Sequence, residues 1–305
     1  MNEGKQALAG LAAGLALPAI YGLAADIAPT GQASETLGKV LTGWTLSLVV
    51  GVSLSAVLSD VVHWRTVYAV LAIICVGLAI SLHRADLKGR ASTGPATSPL
   101  KALRIPGLIP ILLSVTVYMG AFYGLYAYLG THLTAGLSLS TGVAGIAVLA
   151  YGIGFGAIVS LDRLIDRYGA TRAAPVVFGG LLSVYLGIAA ASGSGIAIFG
   201  ACLLWGAANH LGLNILVGQL TALSPSQRGA ILGLYSAVTY AAMFVGTAAF
   251  KPVFESYGFQ TIAILSAICI APACVEAVRS RRRAQSQTAL AALREMANKG
   301  SKRSS

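Results

Sequence analysis

Charge is scarce in this chain: 10% of its 305 residues are Asp, Glu, Lys or Arg, and acids supply only 10 residues. An ordinary soluble domain carries about 25% charged residues, so a conventional water-facing surface is excluded. Cysteine is rare as well. Cys75, Cys202, Cys269 and Cys274 all lie in apolar runs, with no CxxC pair and no His at ligand spacing. They are read as small buried hydrophobes, and neither a metal site nor a disulfide framework is expected. No P-loop and no Ser-His-Asp arrangement occurs, so ATP is not the expected energy source and an enzyme would have no catalytic cluster. Gly152-Ile-Gly-Phe-Gly156 has the spacing of a dinucleotide fingerprint. It sits inside an apolar run with no strand before it, which makes close helix packing the better explanation. No cofactor is expected.

What the chain does have is apolar length. It is 56% hydrophobic and rich in glycine. A membrane-spanning helix needs about 20 mostly apolar residues, and nine runs qualify: roughly 6–27, 38–60, 66–83, 106–129, 142–160, 173–192, 195–221, 229–250 and 260–279. Inside a bilayer the backbone must bond to itself, so these runs predict helices and an all-α polytopic membrane protein with nine transmembrane helices. The net charge of +11 gives the orientation. With the C-terminus cytoplasmic, eighteen of the 21 Lys and Arg residues fall in inside segments and three (Lys5, Arg65 and Lys251) fall outside. The basic charge therefore points to membrane placement, and nucleic acid is not an expected partner. The longest loop, from Arg84 to Ile105, carries Ser92-Thr-Gly-Pro-Ala-Thr-Ser-Pro99 and reads as a flexible linker. It divides the chain into a three-helix partial bundle (1–83), the linker (84–105), a six-helix bundle (106–279) and a basic tail (280–305).

One short stretch concentrates the charge: Leu161-Asp-Arg-Leu-Ile-Asp-Arg-Tyr-Gly-Ala-Thr-Arg172. It resembles the cytoplasmic loop motif of the major facilitator superfamily, Gly-x-Leu-x-Asp-Arg-x-Gly-x-x-Arg. Leu164, Asp166, Arg167, Gly169 and Arg172 match, while Asp162 stands where the family has glycine. Gly10-Leu-Ala-Ala-Gly14 with Pro18 resembles the start of the fourth family helix, although Gln6 occupies the usual arginine position. Gly43 and Gly51 resemble the glycine-rich antiporter motif of the fifth, without its proline, and His63-Trp64-Arg65 matches the Trp-Arg pair before the sixth. The resemblance implies the drug and sugar efflux branch, a proton antiporter, with these nine helices as family helices 4–12 and the first three absent through truncation, a misplaced start or gene decay. A signal peptide ending near Ala24-Ala25 fits less well, because the run carries Pro18 and precedes no soluble domain. By the same resemblance Asp166, Arg167, Gly169 and Arg172 form a gating loop, with Asp166 near the start of the helix that begins around Leu37. Asp26 resembles a family aspartate that pairs with a loop arginine; alternatively it faces water or caps a turn.

Polar residues within spans are the candidates for a site, because intramembrane polarity is costly and marks a cavity or a partner helix. On the tenth family helix Trp205, Asn209, Gly212, Leu216 and Gln219 share one stripe, while His210, Asn214 and Thr221 share another. One stripe lines a cavity or the other bonds a neighbour; spacing does not say which. Trp205, Asn209 and Asn214 are taken as cavity candidates together with Tyr118, Phe122 and Tyr126, whose rings suit a substrate or fill space between helices. His210 is the titratable side chain deep within a span and the candidate for proton coupling, or else a bond across a helix interface. No acid is expected at its depth, so the ring is expected to rest uncharged. The resemblance thus implies a secondary transporter of the inner membrane. Its expected partners are a small molecule, protons and lipid, with oligomeric state open. A truncated, non-transporting remnant or partner subunit is the alternative.

Overall fold

The computed structural model describes residues 3–47, 51, 58, 62–84 and 99–301, and its regular elements are all helical. In chain order the helices are α1 (Glu3–Ile27), α2 (Ala33–Leu46), α3 (Trp64–Arg84), the single turn α4 (Pro99–Ala102), α5 (Leu108–Thr131), α6 (Thr141–Ala157), α7 (Asp162–Tyr168), α8 (Ala170–Ala191), α9 (Gly195–Leu223) and α10 (Arg228–Ser301). Among the described residues, seven segments are long and apolar enough to cross a membrane. The last of them, Pro225–Ser286, covers 62 residues and bends at Gly258, whose φ of 78° and ψ of −177° lie outside the helical region. A residue without a side chain tolerates that backbone, and the bend separates two limbs of α10, 228–257 and 259–301. Much of the span expected over 38–60 lies outside the described residues, as does the linker from 85 to 98.

Local chemistry sets several helix ends. Ser140 and Ser194 stand just before α6 and α9, and their hydroxyls accept the orphan amides of Val143 and Ala197. Gly169, with φ at 86°, ends α7 and starts α8 without a break, a reversal for which glycine is suited. That geometry accounts for the glycine of the charged stretch.

The core belongs to the second part of the chain. Both α5 and α8 pack against α10, while α9 packs against α6 and α8. Glycines permit the closest approaches. A Cβ added at Gly206 would lie 2.0 Å from the Tyr151 carbonyl oxygen, and one at Gly154 would lie 1.9 Å from that of Leu203. Gly154 belongs to the glycine run read from the sequence as packing, and here it is the α6–α9 contact. Gly246 meets Gly120 in the same manner where α10 crosses α5. The outward faces stay apolar, with Val176, Ile196, Leu204 and Phe244 exposed, as suits a surface bathed in lipid. The chain is a multi-pass membrane protein.

The first helices join this core at one end. Helix α1 packs on the first limb of α10, with Tyr21 against Tyr235 at 6.1 Å between ring centroids. Helix α2 packs on α6, α7 and α9. The connections 28–32, 161–169 and 224–227 gather there, and this is called the clasp end below. Over Arg65–Arg84, helix α3 buries none of its residues and is largely exposed.

Candidate functional site

The clasp end is built from the charged stretch outward. Asp166 on α7 accepts hydrogen bonds from the backbone amides of Ser34 and Glu35, each at 2.9 Å. These are orphan donors of the first turn of α2, and a carboxylate meets both the unpaired N–H groups and the positive end of the helix dipole. Arg163, one turn earlier, donates to Glu35 Oε1 at 3.2 Å, and Lys39 approaches the same oxygen at 3.2 Å. The hydrogen bond from Arg163, then that from Lys39, holds the Glu35 carboxyl below the ordinary carboxylate range. On the other side of the clasp end Asp26 at the foot of α1 pairs with Arg228 at the start of α10, and Arg228 Nε also donates to the Thr221 carbonyl. The partner of Asp26 is thus an arginine far along the chain, at the start of α10.

Beneath this charged rim lies a buried pair that corrects an expectation. His210 was expected to have no acid at its depth, yet His210 Nε2 stands 2.9 Å from Asp162 Oδ2, and both side chains are fully buried. The physical reason is the 3-10 turn Ile158–Leu161, which ends α6 and leads Asp162 back into the interior before α7 begins. Gly38 of α2 makes room, since a Cβ there would lie 1.7 Å from Asp162 Oδ2. Asn214, one turn along α9 from His210, donates through Nδ2 to the Ser34 carbonyl at 2.9 Å and lies beside the Asp162 carboxylate. Phe155 meets the imidazole edge-on, with centroids 4.8 Å apart. The stripe carrying His210 and Asn214 therefore bonds neighbouring elements.

The other stripe faces an aromatic cluster. Trp205 is fully buried and contacts Phe122, Tyr151 and Tyr185 at 5.1, 5.3 and 5.8 Å between centroids, and Tyr126 stacks on Phe122 at 5.3 Å. Tyr118 donates to the Asn209 carbonyl at 2.7 Å, and Asn209 Nδ2 donates to the Tyr151 hydroxyl at 3.2 Å. The structure brings Tyr118, Phe122, Tyr126, Trp205 and Asn209 together, packed against one another within the bundle. Trp205 Nε1 and Asn209 Oδ1 are buried without a hydrogen-bond partner among the described residues, which leaves polar capacity in an otherwise aromatic interior. A cleft of about 420 Å³ at the clasp end lies between α5, α8, α9 and the second limb of α10, lined among others by Ser114, Phe178, Gln219, Glu276 and Arg283.

Of the remaining loop residues, Arg167 is exposed and lies over the Tyr168 ring at 5.7 Å from its centroid. Arg172 is exposed and makes no ion pair among the described residues. Sequence reasoning missed Ser34, Glu35 and Gly38 on α2 and the inward turn of Asp162. The available signal was the acid at 162, an ionisable residue in a motif position that otherwise takes glycine.

An all-helical arrangement of long apolar helices, the first of them joined to the rest through a charged loop, defines a class, the multi-pass helical membrane proteins. The model for the Major Facilitator Superfamily matches residues 6–247, and the chain belongs to that family. It is similar to the uncharacterized MFS-type transporter YwfA of Bacillus subtilis, 28% identical over 273 residues that cover 86% of this chain and 66% of the relative. It is also similar to a probable sugar efflux transporter of Pasteurella multocida, 23% identical over 251 residues, covering 79% of this chain and 60% of that protein. A chloramphenicol resistance protein of Streptomyces lividans matches at 26% over 150 residues, 47% of this chain and 38% of the relative. The chain thus spans less than two thirds of the length of these curated relatives. Two solved structures share the fold. The human organic anion transporter MFSD10 has a TM-score of 0.65 at 17% identity, covering 86% of this chain and 67% of that one. The transporter FucP in the outward conformation has a TM-score of 0.65 at 16% identity, covering 87% and 72%.

Proposed function

We propose that this chain acts as a secondary active transporter, not an enzyme, that exports a small molecule (a drug, sugar or metabolite) in exchange for protons. The observation that carries the reading is the clasp: Asp166 on the α2 amides, Arg163 on Glu35 and Asp26 on Arg228 are polar contacts, gathered at the clasp end, that join the first helices to the rest of the chain. Contacts of this kind break and re-form as units, which is what rocking of two bundles about a central site requires. Two curated relatives whose names concern efflux and resistance support the export direction.

In this reading the nine expected spans correspond to family helices 4–12, and the chain lies in a cell inner membrane with the clasp end and the C-terminus cytoplasmic. The distribution of basic residues supports that orientation. Tyr118, Phe122, Tyr126, Trp205 and Asn209 form the substrate wall, Asn214 joins it once its bond to Ser34 is released, and His210 takes part in proton exchange. Asp166, Arg167, Gly169 and Arg172 form the gating loop, with Asp26 its counterpart on α1.

The test is proton flux in liposomes. Protein is reconstituted with an acidic lumen and a pH-sensitive dye, and chloramphenicol and a panel of sugars are added outside in turn. A substrate is expected to dissipate the gradient with a saturable rate. Correctly inserted protein that moves no proton with any member of the panel, while one of them is nevertheless transported, overturns the exchange mechanism. Transport of none by inserted protein favours a non-transporting partner subunit.

A further inference from the structure

We propose that Asp162 and His210 form a proton-binding site built into the clasp, which holds one proton while the clasp is closed and releases it when the clasp opens. The inference rests on the transporter reading only in requiring a state in which the clasp is open.

The argument is one of buried charge. The Asp162 carboxylate is fully buried, and its only charged or chargeable hydrogen-bond partner among the described residues is His210. A buried carboxylate without a counter-charge is among the costliest groups a protein can hold. Imidazole is the side chain whose ordinary titration lies between pH 5 and 8. With the ring protonated, the pair has no net charge and Nε2–H makes a charge-assisted bond. With the ring neutral, Nε2–H still donates, but the negative charge stays in the interior.

Among the described residues the neighbouring elements offer no other counter-charge. On α7, Asp166 is engaged with two α2 amides and adds negative charge, Arg163 bonds Glu35 with its side chain 75% exposed, and Arg167 is exposed over Tyr168. On α2, Glu35 and Lys39 pair with each other. Helix α6 contributes Phe155, and α9 contributes Asn214, a neutral amide already bonded to Ser34. Asp26 of α1 and Arg228 of α10 pair with each other, and Arg172 of α8 is exposed. The positive end of α2 favours the carboxylate, but it is already occupied by Asp166.

The site is also specific to the closed clasp. Asp162 comes from the loop, His210 from α9, and the wall over the carboxylate is Gly38 of α2, where a Cβ would lie 1.7 Å from Oδ2. An acid where the family motif has glycine is matched by a glycine on the opposing helix. Drawing α2 away admits water to both groups, and each is then solvated separately. Proton loss therefore favours opening: the clasp is closed on the acid side and opens on the alkaline side. In a transporter this makes proton release part of opening at the clasp end.

The test reads the clasp directly, without substrate. Nitroxide labels are placed on Gln32→Cys and Tyr168→Cys, both exposed positions flanking the contact, in a background with the native cysteines replaced by alanine. Distances are measured in liposomes between about pH 5.5 and about pH 8.5, a window that brackets the ordinary imidazole range. The expected result is a single short distance at low pH and a longer population that grows with pH, changing by no more than about tenfold per pH unit, the limit for one proton. His210→Gln keeps a donor to Asp162 but cannot take up the proton, so the longer distance is expected at both ends of the range. Asp162→Asn removes the charge, so the short distance is expected throughout, and this opposite sign keeps the test decisive if one variant fails to fold. An unchanged wild-type distribution, or a pH response that survives in Asp162→Asn, overturns the proposal. Substrate-driven proton flux beside a pH-insensitive distance overturns this inference alone, whereas a pH-sensitive distance in a protein that transports nothing overturns the transporter reading alone.

Discussion

At Asp166 a single carboxylate satisfies two amides that the first turn of α2 cannot satisfy for itself. A capping side chain of this kind contributes about 1 kcal/mol, or roughly a fivefold change in the balance between two states. Asp166→Asn keeps one acceptor oxygen but loses the charge and the second bond. It is expected to insert normally and to lower the transport rate several-fold, measured in liposomes at matched protein content; full activity would make the motif dispensable here. Gly38 is a stricter case, because a side chain there collides with the Asp162 carboxylate. Gly38→Ala is expected to force the clasp apart and to lower thermal stability by about 1–3 kcal/mol, the usual cost of overpacking, read from the unfolding midpoint in detergent. Glu35 separates the rim from the buried pair. Its carboxyl is held below the ordinary value by Arg163 and then Lys39, so its contribution is present above that value and is lost only as pH falls through the lowered one. Arg163→Gln is therefore expected to loosen the clasp without removing its response between about pH 5 and 8, the imidazole range, as followed by the same label distances.

Among elements, α6 and α9 approach so closely that their glycines face carbonyl oxygens, and a backbone cannot move aside as a flexible side chain can. Gly206→Val is expected to separate the two helices and cost about 1–3 kcal/mol, with a lower unfolding midpoint and faster amide exchange along both. An unchanged midpoint would mean that the helices repack without loss. This contact also fixes the height of Tyr151 and Phe155 against Trp205 and His210, so helix packing and the chemistry of the clasp share one surface. The glycine run that predicted the contact was legible from spacing alone. The partner glycine on α9 was not, because pairing between helices far apart in sequence has no local signature.

For the whole molecule the proposed orientation puts the clasp on the cytoplasmic side. Single cysteines at Pro95→Cys, outside the described residues, and at Ala135→Cys, within the π-helical turn His132–Gly136, test it. A membrane-impermeant thiol reagent applied to intact cells is expected to label 135 and to spare 95 until the membrane is opened. The reverse pattern would invert the orientation and move the clasp outside.

The sequence by itself determined the class of the molecule. Scarce charge, apolar runs of bilayer length, the bias of basic residues and the spacing of Asp166, Arg167, Gly169 and Arg172 are local or periodic properties, written in consecutive residues. It also singled out His210 and the unusual acid at Asp162. Only the tertiary structure decided that these two belong together. Their meeting depends on a 3-10 turn that redirects the chain, on a glycine 124 residues before Asp162, and on a helix that begins at Gly195. The same holds for Asp26 and Arg228, partners separated by 202 positions. Charge neutralisation in a low-dielectric interior is decided by which groups share a few ångströms, and that follows from packing.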